Sequence, residues 1–394
     1  MVPLKHLATI NDEKLPETTE PDREIRYLDI GAVGRGHLVE RPISISFEEA
    51  PSRARRVVRP GDTIVSTVRT YLRATWTVDD DAEDLIASTG FAVVRPRDVD
   101  ARYLAWALQA DSFVEEVVAR SAGVSYPAVN PDVLATLPIR VPEKATQRRI
   151  ADFLDAETAR IDALVDAKQQ MIGMLGIRYL ATLVETTLTT ESPSRPLRHW
   201  FDSTFGGTWG GDPGSLVADV ACVRGTDFDF IELRVKPGPP RRSVTAADLK
   251  ARTLLPGDLV IEKSGGGEQQ SVGRVVRWTS WIAAVPTNFA AGLRPAEDVD
   301  AEYTTYLLRA LYAQGVTVRW IKQTTGIQNL DLGGLLTERV PCPQLSQQRS
   351  MAASLRSALR RWIDSTTTLT EQIDLLKERR SALITAAVSG ELEL

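Results

Sequence analysis

The sequence has little of what catalysis and cross-linking usually need: of its 394 residues only two are cysteine, Cys222 and Cys342, and only three are histidine, His6, His37 and His199. Two thiols with no third or fourth ligand nearby exclude a disulfide framework and a zinc site, and read as buried side chains. None of the histidines stands in a ligand-like pair, so each reads as an ordinary surface or core imidazole. No run approaches the roughly 18 uninterrupted apolar residues of a membrane span, and the opening Met1-Val2-Pro3-Leu4-Lys5-His6 lacks the apolar stretch of a signal peptide. The expectation is a cytoplasmic chain with no membrane partner. Positive charge is not in excess either, since 47 Lys and Arg against 52 Asp and Glu leave a net charge of −5. That excludes a global basic field, but not a local basic face, because counterion release depends on the side chains that reach phosphates.

Catalytic motifs are missing too. There is no Gly-x-x-x-x-Gly-Lys-Ser/Thr phosphate loop, no Asn/Asp-Pro-Pro-aromatic tetrapeptide of the amino-methyltransferase kind, and no Ser/His/Asp constellation. The glycine runs Gly206-Gly207-Thr208-Trp209-Gly210-Gly211 and Ser264-Gly265-Gly266-Gly267 lack the Lys-Ser/Thr follow-on and read as loops that let backbones approach closely. The acidic run Asp79-Asp80-Asp81-Ala82-Glu83-Asp84 reads as a solvated turn, not as a Mg²⁺ cluster. The chain is expected to be non-catalytic by itself and to hold no metal.

What is present is a duplication about 200 residues apart. Asp98-Val99-Asp100-Ala101-Arg102-Tyr103 recurs as Asp298-Val299-Asp300-Ala301-Glu302-Tyr303, each following an Arg-Pro pair, Arg95-Pro96 and Arg294-Pro295. Upstream, Pro60-Gly61-Asp62 answers Pro256-Gly257-Asp258; downstream, Gln147-Arg148 answers Gln348-Arg349. This period is far too long for a solenoid of 20–50-residue repeats. It implies a duplicated domain-plus-helix unit, built to meet something that itself has two halves.

Each unit ends in a long Pro-free run with alternating steps of four and three. In the first, Ile150, Leu154, Ile161, Leu164, Met171 and Leu175 form the apolar seam, with Glu157, Lys168 and Arg178 as polar exceptions. In the second, Leu355, Leu359, Trp362, Leu369, Ile373 and Leu376 do so, with Thr366 and Arg380 at equivalent steps. Such a seam wants a helical partner along its length, and the other helix of the same chain is the nearest candidate, in antiparallel pairing. Ahead of each helix, short β-rich runs bounded by Gly, Pro and Asp (Arg26–Ile30, Thr63–Val68 and Gly90–Val94; Ala221–Val223, Leu259–Glu262 and Ala290–Leu293) precede helices over Ala101–Arg120 and Glu302–Ala313. The fold class expected is α+β: two mixed α/β domains, residues 1–145 and 191–345, joined by long helices over 146–190 and 346–394 that form an antiparallel coiled coil with pseudo-two-fold duplication.

These residues resemble the specificity subunits of type I restriction-modification systems. Pro142-Glu143-Lys144-Ala145-Thr146-Gln147-Arg148-Arg149-Ile150 is similar to the family's proline-then-Glu-Gln start of a helix, with Thr146 where Glu is usual; Pro343-Gln344-Leu345-Ser346-Gln347-Gln348-Arg349 is similar, with Gln347 at that place. The stretch Leu376–Gly390 resembles the family's helix end, and Phe205-Gly206-Gly207-Thr208 and Val223–Phe228 also look like family motifs. The resemblance implies two target-recognition domains reading the halves of a split double-stranded DNA sequence, with helices that set the gap. It also implies docking to two methyltransferase subunits and, through them, to restriction-translocase subunits; S-adenosylmethionine, ATP and Mg²⁺ would belong to those partners.

Base reading needs paired donors and acceptors, backed by cations on phosphates. The expected DNA-facing residues of the first domain are Arg69, Thr70, Tyr71 and Arg73 after a strand, Ser125, Tyr126 and Asn130 in the loop before the helix, and Arg53, Arg55 and Arg56 of a basic cluster. In the second they are Lys263, Ser264, Gln269 and Gln270, then Lys322, Gln323, Thr324, Gln328 and Asn329. The loops stand at corresponding points of the two repeats while their sequences diverge. The alternative from another class is a non-catalytic protein-interaction scaffold, which need not gather Arg, Lys, Gln and Asn at matching places.

Overall fold

The computed structural model describes residues 1–394 except 79–81, 268–269 and 325, and the side chain of Thr324 also falls outside the description. Asp79, Asp80 and Asp81 of the acidic run therefore lie outside the described residues, as does Gln269. The chain divides into two compact units, one of Met1–Lys168 with Glu371–Leu394 and one of Gln169–Thr370. Each takes part of two 45-residue helices, Lys144–Leu188 and Leu345–Ser389.

In the first unit the strands Ala8–Ile10, Phe91–Pro96, Thr63–Ser66 and Thr75–Thr77 form an antiparallel sheet in that order. A second sheet orders Ile43–Ser46, Glu24–Leu28, Leu85–Ser88 and Ala54–Val57, its central pair parallel. The second unit repeats the frame. Phe201–Gly206, Ala290–Pro295, Leu259–Glu262 and Val275–Arg277 are neighbours in one sheet, and Ala218–Val223 lies parallel to Ala284–Pro286 in the other. Both units also pair the strand that opens them with the strand that leads into a long helix: Val2–Pro3 with Pro138–Ile139, and Ser194–Pro196 with Arg339–Pro341.

The repeated motifs are the latches of this frame. Gly61 and Gly257 turn with φ of 81° and 102°, a region open to glycine, and set the following aspartates into the core. Asp62 then accepts from two nitrogens of Arg95 (Nε to Oδ1 3.0 Å, Nη2 to Oδ2 2.8 Å), as Asp258 does from Arg294 (3.0 and 2.7 Å). Asp100 and Asp300 cap the next helix by accepting the N–H of Tyr103 and Tyr303, two fully buried rings. Gln147 and Gln348, both buried, close the circuit. Gln147 Oε1 accepts from the Asp100 N–H at 2.9 Å while its Nε2 donates to Pro142 O; Gln348 makes the same pair of bonds to Asp300 N–H and Pro343 O, each at 2.8 Å. The glutamine after each proline thus ties the first turn of one helix to the first turn of a long one.

The helix expected over Ala101–Arg120 is instead two, Ala101–Gln109 and Asp111–Ala119, with Ala110 extended at ψ 139° between them. Tertiary contacts override the local preference. The Asp111 N–H donates to Thr385 Oγ1 at 2.9 Å, and its carboxylate accepts from Arg35, Arg73 and Ser381. Burial works against the Asp111 charge, but the Ser381 hydroxyl and the two guanidiniums outweigh it and hold the carboxyl below its usual range.

The long helices lie antiparallel within each unit. In the first, Ile150, Ala151 and Leu154 share a core with Ile384, Ala387 and Val388. In the second, Tyr179 and Leu183 share one with Ala352, Leu355 and Leu359, and the Tyr179 ring stacks on Trp362 at 5.3 Å. Leu175, Leu369 and Leu376 are half-buried, and Ile161 and Ile373 are buried. Lys168 Nζ donates to Gln372 Oε1 at 2.6 Å, and Arg380 Nε to Asp162 at 3.0 Å.

Four expected steps of the first long helix are displaced. Leu164 and Met171 are 47% and 48% exposed, while the half-buried Val165 and Ile172 hold the inward positions; Thr158 and Tyr179 do so in place of Glu157 and Arg178. A strict 3.5-residue repeat drifts from the 3.6 residues per turn of a straight helix, and the inward face here steps by four more often than a heptad allows. Leu164→Glu and Met171→Glu are therefore expected to change the stability of the isolated chain by no more than about 0.5 kcal/mol. Ile161→Glu buries a charge and is expected to cost about 3 kcal/mol or more. Thermal melts of the three variants separate the cases, and a large fall for Leu164→Glu would return that residue to the seam.

The displaced apolar residues belong to an exposed apolar face. In the second unit Met171, Met174, Ile177 and Leu180 are exposed along the first long helix, and Ile177, Leu180, Ala181 and Val184 line a recess with Ala313 and Gln314. Although it has no uninterrupted apolar run of that length, this helix is long and apolar enough, by length and composition alone, to cross a membrane. Its apolar surface is largely unburied.

Candidate nucleic-acid interface

The loops expected to face DNA meet one another within each unit. In the first, the segment after strand Thr63–Ser66 bridges the later loop through Val68 and Ala128, and that loop closes on itself through Ala122 and Ala128. In the second, Ser264–Gly265 pairs with Ile327–Leu330, which returns against Ile321–Thr324. One topology thus carries two different sets of side chains.

In the first unit Arg69 and Arg73 both adopt left-handed backbone, φ 50° and 56°, on either side of the turn Thr70–Leu72. The Arg69 N–H donates to Pro127 O at 2.7 Å, and its exposed guanidinium lies 4.8 Å over the Tyr126 ring. Tyr71, Ser125 and Tyr126 are exposed beside it. Three other residues have polar groups already engaged. Thr70 is buried with its hydroxyl 2.7 Å from Ser121 Oγ; Arg73 is paired with Asp111 at 2.5 Å; and Asn130 spends its Oδ1 as the cap of helix Pro131–Ala135. Arg56 is half-buried, burial lowers its pKa, and its Nε has no hydrogen-bond partner among the described residues. The rest of the basic cluster is engaged in holding its sheet: Arg53 pairs with Asp29 at 3.1 Å and donates to Tyr27 Oη, and Arg55 lies 4.7 Å over Phe47. Contiguous arginines on a strand point to both faces, so a sequence cluster does not make a basic patch.

In the second unit Lys263, Gln270 and Gln323 sit on the loop pair without a side-chain partner among the described residues. Ser264 Oγ donates to Asn329 Oδ1 at 2.7 Å, with Asn329 exposed, and Lys322 is paired with Asp331 at 2.8 Å. Gln328 is buried: its Oε1 accepts from the Val272 N–H and its Nε2 donates to Gly267 O, so it shapes the glycine loop. The side chain of Thr324 and all of Gln269 lie outside the described residues.

Sequence reasoning missed exposed apolar neighbours. Leu72 and Val124 flank the first loop pair, and Phe289, whose carbonyl accepts the N–H of Lys263 and of Ser264, flanks the second. Arg242 lies 5.1 Å over the half-exposed Trp209, which an aromatic inside a glycine run could have flagged. Among the described residues no group of three or more His, Cys, Asp or Glu is placed to hold a metal ion.

Residues 1–172 match the family model described as type I restriction modification DNA specificity domain. The type I restriction enzyme HindI specificity subunit of Haemophilus influenzae is 24% identical over 149 residues, 37% of this chain and 32% of that protein. The StySPI specificity subunit of Salmonella potsdam is 26% identical over 144 residues, 36% and 30% of the two. The chain thus matches about a third of the length of these relatives. Likeness of fold extends further. A chain from a structure described as the structural basis of complex assembly and conformational transition of the type I R-M system superposes with a TM-score of 0.78 at 23% identity, covering 99% of this chain and 97% of that one. The HsdS subunit from Thermoanaerobacter tengcongensis gives 0.55 at 23% identity, covering 99% and 96%.

Proposed function

We propose that this chain, whose first 172 residues match the family model for the type I restriction modification DNA specificity domain, reads a split double-stranded DNA sequence, one half with each unit. The observation that carries the reading is the contrast between frame and loops. The latches repeat residue for residue, while the paired loops hold an arginine on tyrosine in one unit and lysine with amides in the other. A duplicated frame with divergent reading loops gives two different half-sites, and phase on B-DNA must match for both to bind.

In this reading residues 1–145 and 191–345 are the readers and the long helices fix the gap. The chain brings no catalysis of its own; S-adenosylmethionine, ATP and Mg²⁺ serve two methyltransferase subunits and the restriction-translocase subunits that assemble on it in the cytoplasm. The exposed apolar face of the first long helix is the surface we assign to a partner helix, since unburied Met, Ile and Leu at helical spacing need a cover. Selection from a random duplex library by the chain assembled with its methyltransferase tests the reading. Enrichment of two defined blocks around a constant gap is expected. A single contiguous block, or none, contradicts it.

A further inference from the structure

We infer that Arg69 reads a guanine in the half-site of the first unit, with Tyr126 as the shelf that aims it. The inference rests on the DNA-reading function proposed above and adds a base and a residue to it.

Three observations converge on Arg69. Its backbone is held in a left-handed conformation that costs a non-glycine residue energy, and such strain persists only where the surroundings fix it. Here the Arg69 N–H is bonded to Pro127 O, its carbonyl accepts from the Leu72 N–H at 2.9 Å, and the buried Thr70 anchors the turn through Ser121. Its guanidinium carbon lies 4.8 Å from the centroid of the Tyr126 ring, and none of its N–H donors makes a hydrogen bond among the described residues. Finally, no carboxylate among the described residues lies within ion-pair distance of Arg69, whereas Arg35, Arg53 and Arg73 are each paired with one.

A flat fork of donors, preset and unneutralised, matches the paired acceptors O6 and N7 of guanine in the major groove. Adenine puts a donor where guanine has O6 and breaks the match. The second unit has no such fork at the corresponding place. Arg274, the nearest arginine in sequence to its glycine loop, is committed to Glu262 by two bonds of 2.7 and 2.6 Å.

The test maps methylated motifs by long-read sequencing in cells that express the methyltransferase with the wild-type chain, Arg69→Ala, Arg69→Lys or Tyr126→Leu. The wild type is expected to require a guanine in one block. Arg69→Ala and Arg69→Lys should lose that requirement, with methylation at the guanine site falling about 10- to 100-fold relative to the other bases there, as loss of a bidentate contact implies. Tyr126→Leu should relax the same position more weakly, and an unchanged second block reports that each variant is folded. Retention of every position of both blocks in Arg69→Ala overturns the inference. So does a uniform weakening that lysine restores, which would make Arg69 a phosphate contact. A wild-type map without any split motif overturns the DNA-reading function itself and this inference with it.

Discussion

Replacing Asp258 by alanine is expected to cost the second unit about 3 kcal/mol, at the lower end of the range for removing one partner of a buried ion pair. The lower end applies because Arg294 keeps a third of its side chain in water, while the Asp258 carboxylate is 3% exposed. The loss includes the N–H of Leu255, which donates to Asp258 Oδ2 at 2.8 Å and would be left without its acceptor. Asp62→Ala in the first unit is expected to cost less. Arg95 also reaches Asp12 at 2.9 Å and Glu13 at 3.3 Å, so its charge stays compensated. Hydrogen exchange followed on peptides from each unit reads the two losses separately; equal losses, or a larger one for Asp62→Ala, would mean that the second-unit latch is not the more exclusive of the two.

The second large effect concerns specificity. Exchanging residues 1–145 for the same segment of a relative is expected to replace one block of the recognised sequence completely while leaving the other block and the gap untouched. The junction falls where the long helix begins, at Lys144, and leaves Gln147 in the recipient. Gln147 reaches its partner through a backbone N–H at Asp100, which any donor residue at that cap supplies, and the Asp111 contacts to Thr385 and Ser381 are the other ties a donor has to keep. A change in both blocks, or in the gap, would show that the units do not read independently.

The frame was legible in the sequence because its latches are local and repeated. Pro-Gly-Asp, Arg-Pro, Asp-x-Asp-Ala-x-Tyr and the glutamine at each helix start each bear on one capping or ion-pair geometry, so the same residues must recur wherever the geometry does. The loops proposed to read DNA were legible only as places. Which of their polar residues face outward depends on partners far away in sequence: Asp111 takes Arg73, Ser121 takes Thr70, and Val272 and Gly267 take Gln328. The residues expected on the seam of the second long helix are buried or half-buried, whereas in the first Leu164 and Met171 are exposed beside the half-buried Val165 and Ile172. A heptad template cannot tell an apolar residue facing the partner helix from one facing outward, and the first helix carries both.

The central claim is that one chain reads two separate blocks of DNA. The measurement that tests it most directly is a genome-wide map of methylated bases in cells expressing the wild-type chain with a type I methyltransferase subunit shown to assemble with it. The account predicts a new motif of two short defined blocks separated by a gap of constant length and undefined sequence. No new methylated motif, with the methyltransferase shown to be folded and competent, or one confined to a single uninterrupted block, would contradict it.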